Sequence, residues 1–250
     1  MSVKMRVFFG VLISALGIGS IWLMVYLVYN GTILLNNPSE EDYPIGGVDV
    51  SHYQGEIDWS VLSENDIDFA YIKATEGSSY VDENFEYNLE NALETELYIG
   101  AYHFFSFESD GRSQAEHFIN NVPRIEGMMP PVIDVEFYGD IKKHPPKDIS
   151  EELCEMMDIL SDYYGTKPVI YTTQDVYKQY IANGYEDCDI WIREVIMTPY
   201  LPDGRSWTFW QYTNRAKLTG YSGEEKFIDM NVFSGNKNDF DTFIKERCVK

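Results

Sequence analysis

Two carboxylates two residues apart, Asp134 and Glu136, stand in the segment PPVIDVEFYG (130–139). Pro130 and Pro131 in front, alternating apolar positions within and Gly139 behind predict a short strand. Strand side chains alternate between faces, so Val132, Asp134 and Glu136 share one and Ile133, Val135 and Phe137 the other. Two acids side by side on a half-buried strand repel and lose hydration, so at least one pKa rises. That arrangement is costly unless it is used. A carboxyl pair divided between protonated and ionised forms is what cleavage of a glycosidic bond requires.

Two further acids are candidate companions. Asp49 lies inside the run Val48-Asp49-Val50, where no turn explains it. Asp229 begins or precedes the last strand, and there a turn acid is an equally ordinary reading. Four acids could also hold a hard divalent cation, although nothing resembles a calcium loop and no metal site is expected. No GxSxG elbow or HExxH pattern is present. His52 and His103 sit at strand ends and are candidates to line a site, whereas His117 and His144 read as solvated. Tyr102, Tyr171, Trp191, Trp210 and Tyr212 each fall near the end of a strand. They are read either as a sugar platform or as packing between layers, with about half of them expected to touch substrate.

Short apolar runs must position these residues. Strands are predicted at 46–54, 67–77, 98–107, 130–139, 167–173, 188–195, 207–213 and 227–235. Helices are predicted at 57–66, 81–96, 109–122, 149–165 and 174–184, with little helix among the last three strands. Alternating strands and helices imply a parallel sheet with right-handed crossovers. Eight strands make it an α/β fold, an irregular (β/α) barrel of about eight strands, with a doubly wound open sheet as the alternative. Strands one and eight adjoin in a closed barrel, which would bring Asp49 and Asp229 together near the pair on strand four. GVDVSHYQG after the first strand is not a GxGxxG loop, which counts against a nucleotide fold.

The barrel is preceded by one transmembrane helix. Residues 7–29 form a 23-residue run without charge, long enough to span a bilayer. Lys4 and Arg6 before it assign residues 1–6 to the cytoplasm. The absence of a small-residue cleavage site favours an uncleaved signal anchor over a signal peptide, and cleavage would instead release a secreted protein. Residues 30–45 read as a linker and 46–250 as the catalytic domain, placed outside the cytoplasm at the cell membrane. From Glu40 onward the chain has 17 basic and 41 acidic residues, a balance of −24. Phosphate backbones would repel it, so nucleic acid is not an expected partner. Cys154, Cys188 and Cys248 show no zinc spacing, and three unpaired thiols are preferred over one disulfide with one Cys left over.

The motifs GVDVSHYQGEIDW, FAYIKATEG, GAYHFF, the DVE of PPVIDVE, PVIYTT, WQYT and DMNVF occur here in order, between Gly46 and Gly235. In this they resemble the lysozymes of glycoside hydrolase family 25, the N-acetylmuramidases. The resemblance implies an irregular β/α barrel that cleaves the β-1,4 bond between N-acetylmuramic acid and N-acetylglucosamine in peptidoglycan. Matched to the family's Asp-x-Glu motif, Glu136 would be the general acid. Asp134 would stabilise positive charge or orient the substrate's acetamido group as an internal nucleophile. Asp49 and Asp229 match the other two acids of the family site. Tyr102, Tyr171, Trp210 and Tyr212 fall where the family lines its groove. Peptidoglycan glycan strands would be the partner, the catalytic domain monomeric, and no cofactor is expected. A catalytically weak peptidoglycan-binding scaffold on the same fold is the alternative.

Overall fold

In the strands, β-branched and aromatic residues alternate between two faces, and both faces are covered. The computed structural model describes residues 2–137 and 146–250, with side chains in the second span described from residue 149. Its strands are β1 (Gly46–Val50), β2 (Phe69–Glu76), β3 (Tyr80–Val81), β4 (Tyr98–Phe104), β5 (Val132–Val135), β6 (Val169–Thr173), β7 (Ile190–Arg193), β8 (Phe209–Ala216) and β9 (Ile228–Phe233). All eight expected strands are present. β3 is an addition, a two-residue arm paired antiparallel on the end of β2. The order β1-β9-β8-β7-β6-β5-β4-β2, with β1 also paired to β2, closes an eight-stranded barrel. Closure leaves none of the eight as a free edge.

The helices are α1 (Val3–Tyr29), α2 (Trp59–Leu62), α3 (Phe85–Ala92), α4 (Gly111–Asn121), α5 (Pro146–Tyr164), α6 (Gln174–Val176) and α7 (Lys237–Arg247). A wider π turn, Tyr177–Ile181, continues α6. Local chemistry starts several of them. Asp58 accepts from the Val61 amide and Asp110 from the Ser113 amide, each satisfying a donor with no partner inside its helix. The outer strand faces pack on the helices through residues such as Ile72, Leu89, Phe118, Ile133, Leu153 and Leu160. No residue of α1 is buried.

One expectation is corrected and one element is added. The expectation is a parallel sheet in an irregular barrel, and the irregularity is that β9 runs antiparallel to both β8 and β1. The segment between β8 and β9 contains no helix, so the chain returns directly and reverses direction. The residues after the last strand carry no predicted element, and they form α7. Asn236 accepts from the Asp239 amide while Asp239 takes the Asn236 amide, a reciprocal cap. Phe240 and Phe243 then turn inward under the barrel, with ring centroids 6.1 Å between Phe240 and Phe69 and 5.3 Å between Phe243 and Phe209. α7 thereby plugs the end of the barrel where the parallel strands begin, and the opposite end stays open. His144, together with Tyr138 and Gly139 of the expected strand, lies outside the described residues. Cys154, Cys188 and Cys248 are unpaired thiols.

Candidate active site

Inside the barrel, alternation sorts each strand into an inner and an outer set. Phe69, Tyr71, Val132, Val169, Trp191 and Phe209 fill the lower interior. Continuing upward by two residues on each strand gives Lys73, Asp134, Tyr171, Arg193 and Gln211. Here the filling changes from apolar to polar and charged, and a cleft of about 820 Å³ opens above it. Asp49, Lys73, Tyr102, Asp134, Glu136, Tyr171, Arg193 and Asp229 all line this cleft.

The reversed direction of β9 matters for the site. In a parallel last strand its first residues would lie at the plugged end. Running antiparallel, β9 brings Asp229 to the open end, where it pairs in register with Asp49 of β1. Gln211 ties the group together. Its amide nitrogen donates to Asp49 Oδ2 at 2.9 Å and to Asp229 Oδ2 at 3.2 Å, while its carbonyl oxygen accepts from the Tyr171 hydroxyl at 3.0 Å. Asn231 donates to Asp49 Oδ2 at 2.8 Å and is itself oriented by the Trp191 indole at 2.8 Å. Asp49 is therefore held as an acceptor by two fixed amides. Asp134 is different. It is buried, yet its Oδ1 has no hydrogen-bonding partner.

The electrostatics follow from the geometry. Burial raises the Asp134 pKa well above the usual carboxylate range, the charges of Glu136 and Asp49 add to this, and Lys73 offsets part of it. Burial also raises Glu136, with Arg193 pulling it back and Asp49 pushing it up. Asp229 is raised well above its ordinary value by burial and by Asp49. Asp49 is raised by burial against the two amide hydrogen bonds from Asn231 and Gln211. Four acids thus share a small number of protons, and their titration belongs to the set. Lys73 is itself half spoken for. Its ammonium lies 2.7 Å from Glu76 and 5.0 Å from the Phe104 ring centre. Among the described residues, no three His, Cys, Asp or Glu side chains gather as metal ligands.

The structure brings together Asp49, Asp134, Glu136, Asp229, Tyr102 and Tyr171 of the expected site residues, and Trp191 forms part of the floor. It separates Trp210, Tyr212 and His103 from them. Trp210 and Tyr212 occupy the outer parity of β8, where both are buried, Trp210 against Tyr43 and Trp207, and the Trp210 indole donates to Glu194 O at 2.7 Å. His103 occupies the outer parity of β4 and is fully buried. Gln114 Oε1 already accepts from the Ser106 amide, so His103 Nε2 donates to it at 3.1 Å and Nδ1 accepts from Thr75 at 2.8 Å. Burial pushes its pKa down to about 3, so the ring is neutral and serves packing. His52 sits beside the cleft, 2.8 Å from buried Asp82. Lys73, Arg193, Gln211 and Asn231 escaped the sequence reading. Lys73 in FAYIKATEG and Arg193 in DIWIREV carry the signal that marked Asp49, a charge inside an apolar strand with no turn to explain it.

Comparison with known proteins matches residues 48–221 to the family described as Glycosyl hydrolases family 25. A solved family 25 glycosyl hydrolase from Bacillus anthracis superposes with a TM-score of 0.77 at 52% identity, over 82% of this chain and 95% of the other. A bacterial lysozyme structure from Streptomyces coelicolor superposes with a TM-score of 0.73 at 30% identity, over 80% of this chain and 96% of the other. Lysozyme M1 of Streptomyces globisporus is 33% identical over 215 residues, 77% of this chain and 68% of that protein.

Proposed function

The chain belongs to the family 25 glycosyl hydrolases, and on that premise we propose that it cleaves the β-1,4 bond between N-acetylmuramic acid and N-acetylglucosamine in peptidoglycan. The observation that carries the reading is that Asp134 of β5 and Glu136, one residue beyond its end, line the same cleft as Asp49 and Asp229. Glu136 is the general acid. Its raised pKa keeps a proton available above the ordinary carboxylate range, to be given to the departing glycosidic oxygen. Asp134, whose carboxylate lines the cleft, receives the substrate's acetamido N–H. So placed, the acetamido carbonyl oxygen closes on the anomeric carbon as the glycosidic bond breaks. The positive charge that develops on the sugar is stabilised by Asp134, and it reverses the penalty that burial imposes on that carboxylate. Asp49 and Asp229, held by Gln211, add negative field across the cleft.

The proposed setting is the outer side of a membrane. α1 is 27 residues long, has none of its residues buried, and meets the length and composition of a bilayer span, with Lys4 and Arg6 at its start. We assign it as a single-pass anchor with a monomeric catalytic domain outside the cytoplasm. The test of function is Glu136→Gln in the purified protein, followed through new reducing ends and the masses of released muropeptides. Loss of about 10²–10⁴-fold in rate with a melting midpoint no lower than the parent's is expected. Undiminished release by that variant would remove Glu136 from its role, and fragments ending in anything other than muramic acid would overturn the bond assignment.

A further inference from the structure

The substrate cleft is bounded on one side by the end of α1. Tyr29, the last residue of that helix, lines the same cleft as Asp134 and Glu136. The helix stops there for a local reason. Asn30 is the cap and Gly31 follows with φ +64, while the Gly31 amide donates to Val28 O at 3.0 Å and the Thr32 amide to Leu27 O at 2.9 Å. This left-handed glycine stop satisfies carbonyls that otherwise lack partners.

The stop is built into the catalytic domain. Arg215, near the end of β8, donates to Tyr29 O at 2.7 Å and lays its guanidinium 5.2 Å from the centre of the Tyr29 ring. The Lys226 ammonium lies 3.1 Å from Asn30 Oδ1. At Gly31 the chain passes so close that a Cβ there would run into Arg215 O and come within 2.8 Å of the Phe227 ring. The backbone conformation and the close approach each call for glycine. The Tyr29 ring is thus held in place, yet it remains 66% exposed on the cleft wall. A fixed, exposed aromatic face bordering a groove for a polymer suits stacking on a sugar ring, since it loses little freedom when the ligand arrives.

We propose that Tyr29 is a substrate-binding residue supplied by the anchor, a stacking surface for a sugar of the glycan strand away from the scissile bond. The proposal rests on the hydrolase reading, and it makes the helix end part of the substrate cleft. Its ordinary competitor is that Tyr29 merely holds the helix to the domain, together with Arg215. The two differ in what substrate length does.

The test uses the full chain in detergent micelles, with long solubilised glycan strands and with a short muramic acid-containing oligosaccharide that fills only the sugars next to the cleaved bond. Tyr29→Ala should raise KM for the long strands about fivefold, the scale of one aromatic contact, with kcat unchanged. KM for the short oligosaccharide should not move, and Tyr29→Phe should behave as the parent. An unchanged KM on long strands would overturn the proposal. So would equal losses on both substrates, which would mark a residue that acts only through the fold. If the parent protein cleaves neither substrate, the hydrolase reading fails. The Kd of long strands for the parent and for Tyr29→Ala then decides the role of Tyr29 separately, equal values overturning it.

Discussion

At Asp134, burial and the neighbouring charges of Glu136 and Asp49 act in the same direction, and both favour the neutral acid. Its folded pKa is raised above the unfolded value of about 3.9. The folded state therefore holds more protons than the unfolded chain between those two values, and stability falls as pH rises through that window. Below about pH 4 both states are protonated and the penalty vanishes. Asp134→Asn removes the titration while keeping the shape. It should raise the melting midpoint at pH 7, with a gain that shrinks as the pH approaches 4, while activity falls sharply. A gain independent of pH would mean that the penalty is steric. The activity itself should fall on the alkaline side as Glu136 gives up its proton, and Glu136→Gln should abolish that limb together with the rate.

At the level of elements, strand positions were legible and strand faces only partly so. PPVIDVE declares its inner face, because acids and aliphatics alternate along it. FWQYT and GAYHFF do not, since both of their faces are aromatic or polar. Nearness to a strand end placed Trp210, Tyr212 and His103 in the groove together with Tyr102, whereas parity keeps Tyr102 there and puts Gln211 in place of the other three. The reversal of β9 could be anticipated only from the missing helix before it, and α7 from the Asn236–Asp239 cap ahead of Phe240, Phe243 and Ile244. Measurement can separate these roles. Trp210→Ala should cost about 3–5 kcal/mol of stability through the cavity it leaves, and KM per folded molecule should be unchanged. Phe240→Ala should behave in the same way by unplugging the lower end of the barrel. A raised KM with full stability in Trp210→Ala would return that ring to the substrate.

On the scale of the whole molecule, a domain carrying a balance of −24 gains no electrostatic help in approaching an anionic wall or membrane. The proposed anchor supplies proximity in its place. Removing residues 1–35 should therefore weaken action on whole cells more than action on purified wall, where only the Tyr29 contact is lost, and equal losses on both would refute proximity as the anchor's contribution. The segment after α1 gives that proximity an unusual form. Asn36 donates to Met197 O at 3.0 Å, Leu34 packs on the core, and Tyr43 sits against Trp207 and Trp210 with ring centroids 5.7 and 5.8 Å away. A free chain of this length would let its cargo roam over about 20 Å. This one is fastened along its course, so the cutting head has no swing of its own. With its helix in a bilayer, it would hold one working height and search for strands by sliding sideways in two dimensions, trimming a single stratum of wall.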